Sequence, residues 1–312
     1  MDSAILKTVA VYFALAFVLF VSAYLFYDLA VFLSILLLLP LILWCRNYFK
    51  KAKLLKETTL KRRETMLFWV LMLFALALMV RVPFVLLFGA PYEKTPLIYL
   101  VILTIVLVEK TDIKTFGFKT GNLAKSAFYG LLLFSLLDLI ALAGIHLLTI
   151  VFTGQEMFQS FNAVTFLMSM PFMTLCVGIS EEGLFRGYMQ THLQRHFSVV
   201  KAFLLQAFLF GVWHFVWHIF PLNLADMILR IASTFFIGAM FGYFYSKTQN
   251  LAPLILAHGL WNSILDGLTS NPEAAKTVMA LPLLSQAVII VMPYALSTAI
   301  MLVVVRKFIR AI

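Results

Sequence analysis

The chain has 312 residues, of which 63% are hydrophobic and only 12% are charged, and its mean hydropathy is +0.99. A soluble domain carries about 25% charged residues, so this composition excludes an ordinary soluble protein. The net charge of +10 does not predict a nucleic-acid partner, because the basic residues follow the loops between apolar runs. Two cysteines, Cys45 and Cys176, are too few for a disulfide framework or a thiolate metal site.

Apolar runs recur along the chain and are long enough to cross about 30 Å of hydrocarbon. Because helices satisfy their own backbone polar groups in lipid, this pattern predicts an all-α polytopic membrane protein with a bundle of about 8–10 transmembrane helices. The predicted spans are residues 8–27, 29–45, 65–89, 96–108, 124–152, 163–184, 199–219, 227–246, 251–268 and 285–305. The fourth span is short enough to be re-entrant or tilted.

The basic residues are distributed very unevenly between the two ends of these spans. With the N-terminus inside and the spans alternating, 19 of the 24 Lys and Arg residues fall inside, and only Lys94 and Lys276 fall outside. The positive-inside rule therefore predicts that both termini face the cytoplasm, and we expect a prokaryotic cell membrane. The basic loop 46–63 is expected to contact anionic membrane lipids, at about 1 kcal/mol per basic residue.

Ionisable and amide side chains concentrate inside the apolar helices beyond about residue 160. Such groups are costly in a membrane and usually face a cavity or a partner, so they are candidate functional residues. They are Glu181, Glu182, His214, His218, Arg230, His258, Asn262 and Asp266.

The string ISEEGLFRGYMQ, residues 179–190, places two adjacent carboxylates near an arginine. Glu182 and Arg186 are four residues apart, so on a helix they share a face and can form an ion pair. Glu181 points about 100° away and need not share this partner. The string therefore describes either a structural ion pair at a helix end, or a supported site in which one glutamate acts as a base.

Two further helices each carry a polar stripe. His214 and His218 are four residues apart in LFGVWHFVWHIF, a spacing that suits zinc, but no glutamate lies between them as in HExxH proteases. In LAPLILAHGLWNSILD, the residues His258, Asn262 and Asp266 follow one another at four-residue spacing. Each stripe alone is also typical of a hydrogen-bonded core histidine, or of an amide that joins two membrane helices.

Taken together, the three stripes predict one polar site. A carboxylate with a histidine activates water as a general base, and a second histidine with an amide stabilises an oxyanion. Equally, one glutamate and two histidines are suited to bind Zn²⁺ with an open position for water. Both arrangements hydrolyse an amide inside a membrane cavity. The alternative is a proton-coupled transporter, or an immunity or scaffold factor, because the same groups suit a proton relay.

The three strings resemble the signature of the CPBP family of membrane proteases, which comprises the CaaX-protease and bacteriocin-processing (Abi) proteins. That signature is EExxxR, then FxxxH, then HxxxN or HxxxD, and residues 181–186, 210–214 and 258–262 match it in order. The resemblance implies a catalytic core over residues 110–268. Residues 1–109 then form N-terminal helices with a basic loop, and residues 269–312 form a C-terminal helix.

The resemblance also implies an activity. The implied activity is that of an intramembrane endopeptidase, which cuts a membrane-associated or lipidated peptide, including prenylated CaaX-type proteins. By this resemblance Glu181 and His214 activate water, and His258 and Asn262 stabilise the oxyanion. The catalytic cavity is expected to open to the cytoplasmic side, as in eukaryotic relatives.

Other roles implied by the resemblance concern support and metal binding. Glu182 and Arg186 organise the site, and the resemblance also allows the roles of Glu181 and Glu182 to be exchanged. A metalloenzyme would use Glu181, His214 and His258 as ligands, and both a metal-dependent and a metal-free mechanism stay open. His218 and Asp266 lie outside the signature. His218 is expected to be a third ligand or a group next to the ligands, and Asp266 is expected to orient Asn262.

Overall fold

The computed structural model describes residues 3–51, 60–119 and 121–308. Eight helices in these ranges are long and apolar enough to cross a membrane, which confirms an integral, multi-pass, all-α membrane protein. In chain order the helices are α1 (Ser3–Leu25), α2 (Tyr27–Lys50), α3 (Arg63–Phe88), α4 (Lys94–Val108), α5 (Leu123–Thr153), α6 (Ala163–His196), α7 (Val199–His218), α8 (Leu224–Thr248), α9 (Ala252–Gly267), α10 (Pro272–Ala280) and α11 (Leu283–Phe308). A 3₁₀ turn, Ile113–Phe116, precedes α5.

Each of the ten predicted spans coincides with a helix, and the fourth is short as predicted. The ninth, α9, has only 16 residues, fewer than the ~20 that cross a bilayer without help from neighbouring elements. Both short helices are covered by protein along much of their length, so their apolar character reflects burial in the bundle as well as lipid.

The sixth predicted span ends too early. Helix α6 does not stop near residue 184 but continues to His196, giving 34 residues and a length of about 51 Å. Its second half is almost entirely buried within the protein, from Gly183 to Leu193. The polar residues Arg186, Gln190 and His192 end the hydropathy signal, but in the folded chain they are enclosed by neighbouring helices.

A small antiparallel sheet, absent from the sequence-based prediction, joins the ends of α6 and α9. Strand β1 (Phe158–Phe161) precedes α6, and strand β2 (Leu268–Ser270) follows α9. The backbone N–H of Asn162 donates to the carbonyl of Gly267 over 2.8 Å, and the Asn162 side chain caps α6. The sheet therefore fixes the position of α6 along its axis relative to α9.

Two glycines allow these helices to approach closely. A Cβ atom at Gly259 would lie 2.5 Å from the Cα of Thr174, and one at Gly178 would lie 2.7 Å from the carbonyl oxygen of Ile255. Small residues commonly permit such backbone contact between membrane helices. The contact brings the residue before Gly259, His258, beside the paired glutamates of α6.

Candidate active site

The paired glutamates lie in the middle of α6 and are enclosed by protein. Glu181 is 3% exposed and Glu182 is fully buried. They occupy a short α-helical stretch between two π-helical segments, Met173–Gly178 and Gly183–Gln190. Such π segments occur frequently at functional sites, because the wider turn redirects side chains on one face of the helix.

Glu182 forms the predicted pair with Arg186. Its Oε1 accepts from the Arg186 guanidinium over 2.9 Å and from Nδ1 of His258 over 2.6 Å. The guanidinium also lies over the Phe210 ring, 4.2 Å from its centroid. Arg186 is fully buried, so this pair holds α6 against α9 through His258.

Glu181 has different partners on its two oxygens. Its Oε1 accepts from Nζ of Lys94 over 2.6 Å and from the indole nitrogen of Trp213 over 2.9 Å. Its Oε2 has no hydrogen-bond partner among the described residues, and Nε2 of His258 lies 3.6 Å from it. One oxygen is therefore held in place, and the other is buried without a hydrogen bond.

The cations around Glu181 belong to a buried network that sequence reasoning missed. Lys94 also contacts Glu93 at 2.9 Å, and Glu93 accepts from Arg81 over 2.7 Å. The guanidinium of Arg81 lies 3.8 Å from Glu181. With the Glu182–Arg186 pair, this cluster contains three carboxylates and three cations. It is therefore neutral overall when the adjacent His258 ring is neutral.

Lys94, which the charge count placed in an outer loop, is not an exposed loop charge. Its side chain is fully buried and bonds a glutamate 87 residues further along the chain. The positive-inside rule counts charges near span ends and carries no information on long-range pairing. A signal was nevertheless present, because Arg81 lies within an apolar run and Glu93 and Lys94 stand as opposite charges at the start of another.

His214 lies at a break in α7. The α-helical part ends at Val212, and a 3₁₀ turn, Phe215–His218, follows. Nδ1 of His214 contacts the carbonyl oxygen of Phe210 at 2.8 Å. A carbonyl only accepts, so Nδ1 carries the proton and Nε2 of the neutral ring is an acceptor.

A cavity of about 1090 Å³ collects the reactive groups. Its lining includes Glu181, His214, His258 and Asn262, four of the six predicted site residues. Glu182 and Arg186 do not line it. This difference separates the glutamates, because only Glu181 presents a carboxylate to the space in which a substrate would lie.

The predicted direction of the cavity is wrong. We expected an opening toward the basic loops, but the lining extends to the opposite ends of the helices. These lining residues are Tyr27 and Asp28 at the start of α2, Gly89 after α3, Val164 and Thr165 at the start of α6, and Asp266 at the end of α9. Toward the basic loops, the buried second half of α6 fills the bundle below Glu181. Hydropathy reports helix positions but not which end of a bundle is filled.

The two residues outside the family signature do not join the reactive end of the cavity. His218 does not line the cavity, and its charged neighbours are Arg230 and Asp226. Asp266 lines the cavity at its mouth, where Ser169 is its polar neighbour. The role of orienting Asn262 is therefore not supported by this contact.

The side chains do not form the metal site that a metalloenzyme would use. Within residues 3–51, 60–119 and 121–308, no group of three His, Cys, Asp or Glu side chains is placed to hold a metal ion. Lys94 and Arg81 lie 2.6 Å and 3.8 Å from Glu181, and two such cations would repel a divalent ion at this carboxylate. Glu181, His214 and His258 as arranged here do not fit Zn²⁺.

The fold and the site define a polytopic membrane protein with a buried carboxylate–histidine site in a large cavity. Residues 163–264, about a third of the chain, match a family model described as type II CAAX prenyl endopeptidase, Rce1-like. The match contains all three motifs and confirms the family resemblance. This similarity supports, at the level of the family, a protease of the CAAX type. No curated protein matches the chain.

Proposed function

We propose that this protein is an intramembrane endopeptidase that hydrolyses a peptide bond of a membrane-associated, prenylated peptide. The observation that carries the proposal is the arrangement of Glu181. Its Oε1 is held by Lys94 and Trp213, while its unpartnered Oε2 faces His258 in a cavity of about 1090 Å³. A carboxylate fixed in this way is suited to take a proton from water.

Glu181 and His214 act on the attacking water. The water donates one hydrogen bond to Glu181 Oε2 and one to His214 Nε2, the free acceptor of a ring whose Nδ1 is already engaged. As the water oxygen attacks the carbonyl carbon, its proton passes to Glu181. This carboxylic acid then protonates the leaving nitrogen as the C–N bond breaks, which restores the carboxylate.

His258 and Asn262 act on the carbonyl oxygen. Because a carboxylate only accepts, the short contact to Glu182 places a proton on Nδ1 of His258. Nε2 then donates to an oxyanion when the ring is an imidazolium, and the Asn262 amide donates in either state. Glu182 and Arg186 orient His258 from outside the cavity.

Cleavage of a prenylated peptide by the purified protein tests the proposal. We expect cleavage products by mass spectrometry, and a loss of about 10²-fold in kcat for His214→Ala, because the attacking water loses one of the two acceptors that position it. His218→Ala is the matched control, because His218 lies one turn away and does not line the cavity. A chelator should leave the rate unchanged.

Two results would contradict the proposal. One is cleavage by His214→Ala at the rate of the unaltered protein. The other is solute transport in proteoliposomes without any peptide cleavage, which would favour a proton-coupled carrier.

The charge distribution and the position of the cavity mouth together indicate from which side of the membrane the peptide enters. With the basic loops and both termini cytoplasmic, as the positive-inside rule predicts, the mouth of the cavity faces the extracytoplasmic side. We propose that the peptide reaches the site from that side of the cell membrane.

Cysteine labelling in intact cells checks this orientation. In a variant without Cys45 and Cys176, Val164→Cys at the cavity mouth should react with a membrane-impermeant maleimide added outside. Lys201→Cys, at the exposed start of α7, should react only after lysis. The reverse pattern would show that the mouth faces the cytoplasm.

A further inference from the structure

Arg230 is a cavity residue without a part in the mechanism above. It lies on α8 with Thr234, Ile237 and Phe241, and all four line the cavity. Their spacing of four, three and four residues places them on one face of the helix. Arg230 is at the end of this face nearer the mouth, and the Phe241 ring lies 6.2 Å from the His258 ring.

Among the basic residues that line the cavity, Arg230 differs in having no counter-ion. Arg81 and Lys94 are both in ion pairs within 3.0 Å. Among the described residues, no carboxylate lies within 4.0 Å of the Arg230 side chain. Asp226, one turn earlier, accepts instead from Asn223 over 2.7 Å.

An ionisable residue on a membrane-spanning helix that faces a cavity is a candidate functional residue by default. Arg230 is exposed, and it is close enough to His214 for an electrostatic interaction. An arginine presents a planar fork of donors that matches a carboxylate, and the bond is stronger than one between neutral groups. The natural occupant is therefore an anionic group of the molecule that fills the cavity.

We propose that Arg230 forms an anion subsite that binds a carboxylate of the substrate peptide. This inference rests on the proposed function. Eleven residues of α8 separate Arg230 from Phe241, a rise of about 16 Å. An extended peptide advances about 3.3 Å per residue, so in an extended substrate the carboxylate lies about five residues from the scissile bond. The carboxylate belongs either to the C-terminus or to an acidic side chain in this stretch.

Matched peptides distinguish the two sources. One prenylated peptide is prepared with a free C-terminal carboxylate and with a C-terminal amide, and also with Asp or Asn at each position after the cleavage site. We expect kcat/KM to be at least about 10-fold higher for one acidic form than for its neutral counterpart, as a charge-assisted hydrogen bond provides. In Arg230→Gln this ratio should fall to about one, because the partner of the carboxylate is gone. Arg195→Gln, which removes an exposed charge at the other end of the bundle, should keep the ratio.

Binding to the inactive Glu181→Gln protein gives a second readout that does not require cleavage. Fluorescence anisotropy should show the same Arg230-dependent preference for the acidic peptide. Equal binding of acidic and neutral peptides would overturn the subsite, as would a preference that appears only in anionic lipid, which would assign Arg230 to a lipid phosphate. Arg230-dependent binding without any cleavage by the unaltered protein would retain the subsite and reject the proposed endopeptidase.

Discussion

Replacing Glu181 by glutamine should abolish peptide cleavage while the protein stays folded. The glutamine oxygen can still accept from Lys94 and Trp213, the two groups that hold Oε1. Its amide cannot take a proton from water, and the loss of a positioned base lowers kcat by about 10²- to 10⁴-fold. The measurement is the rate of cleavage of a prenylated peptide, together with the thermal midpoint in detergent.

Two further variants, Glu273→Gln and Glu182→Gln, are compared with Glu181→Gln. Glu273→Gln removes a carboxylate that is 74% exposed on α10 and should leave the rate unchanged. Glu182→Gln should also lose activity, but through His258, whose contact with Glu182 is the shorter of its two carboxylate contacts. Retention of activity in Glu181→Gln within 10-fold would rule out Glu181 as the base.

Replacing Lys94 by methionine should both destabilise the protein and reduce cleavage. The change leaves three carboxylates and two cations in a cluster in which Glu181 is 3% exposed and Glu93 is 1% exposed. Leaving one buried charge unpaired costs about 3–5 kcal/mol. Thermal unfolding in detergent and cleavage rate measure the two effects.

A double variant separates stability from positioning. Glu93→Gln with Lys94→Met removes one charge of each sign, so the cluster is balanced again and most of the stability should return. Cleavage should stay low, because Glu181 has lost the ammonium that holds its Oε1 at 2.6 Å. Glu93→Gln alone leaves one buried cation unpaired and should also be less stable, but it keeps this contact, so its folded fraction should retain activity. Full activity in the stable double variant would show that Lys94 only neutralises the cluster and does not position Glu181.

Local patterns in the sequence predicted much of the molecule. The membrane class and the positions of the spans follow from the hydropathy of contiguous segments, and each predicted span coincides with a helix. The Glu182–Arg186 pair was predictable because residues four apart on a helix are neighbours whatever the rest of the chain does. The motif trio likewise named four residues that line one cavity, Glu181, His214, His258 and Asn262.

The contacts that decide the chemistry of Glu181 join residues far apart in the chain, and no local period encodes them. Lys94 and Trp213 reach the same oxygen from positions 87 and 32 residues away, and Arg81 completes the set from a third helix. His218 lies outside the cavity although it is four residues from His214, because a 3₁₀ turn and not an α-helix joins the two histidines, so they do not share a face.

The sequence by itself determined that this is a multi-pass helical membrane protein with an EExxxR, FxxxH and HxxxN trio, since composition and short-range spacing carry that information. Only the tertiary structure decided which glutamate faces the cavity, which cations surround it, and at which end the cavity opens. Those features depend on how side chains from separate helices exclude one another in a packed interior, and a one-dimensional pattern does not contain that geometry.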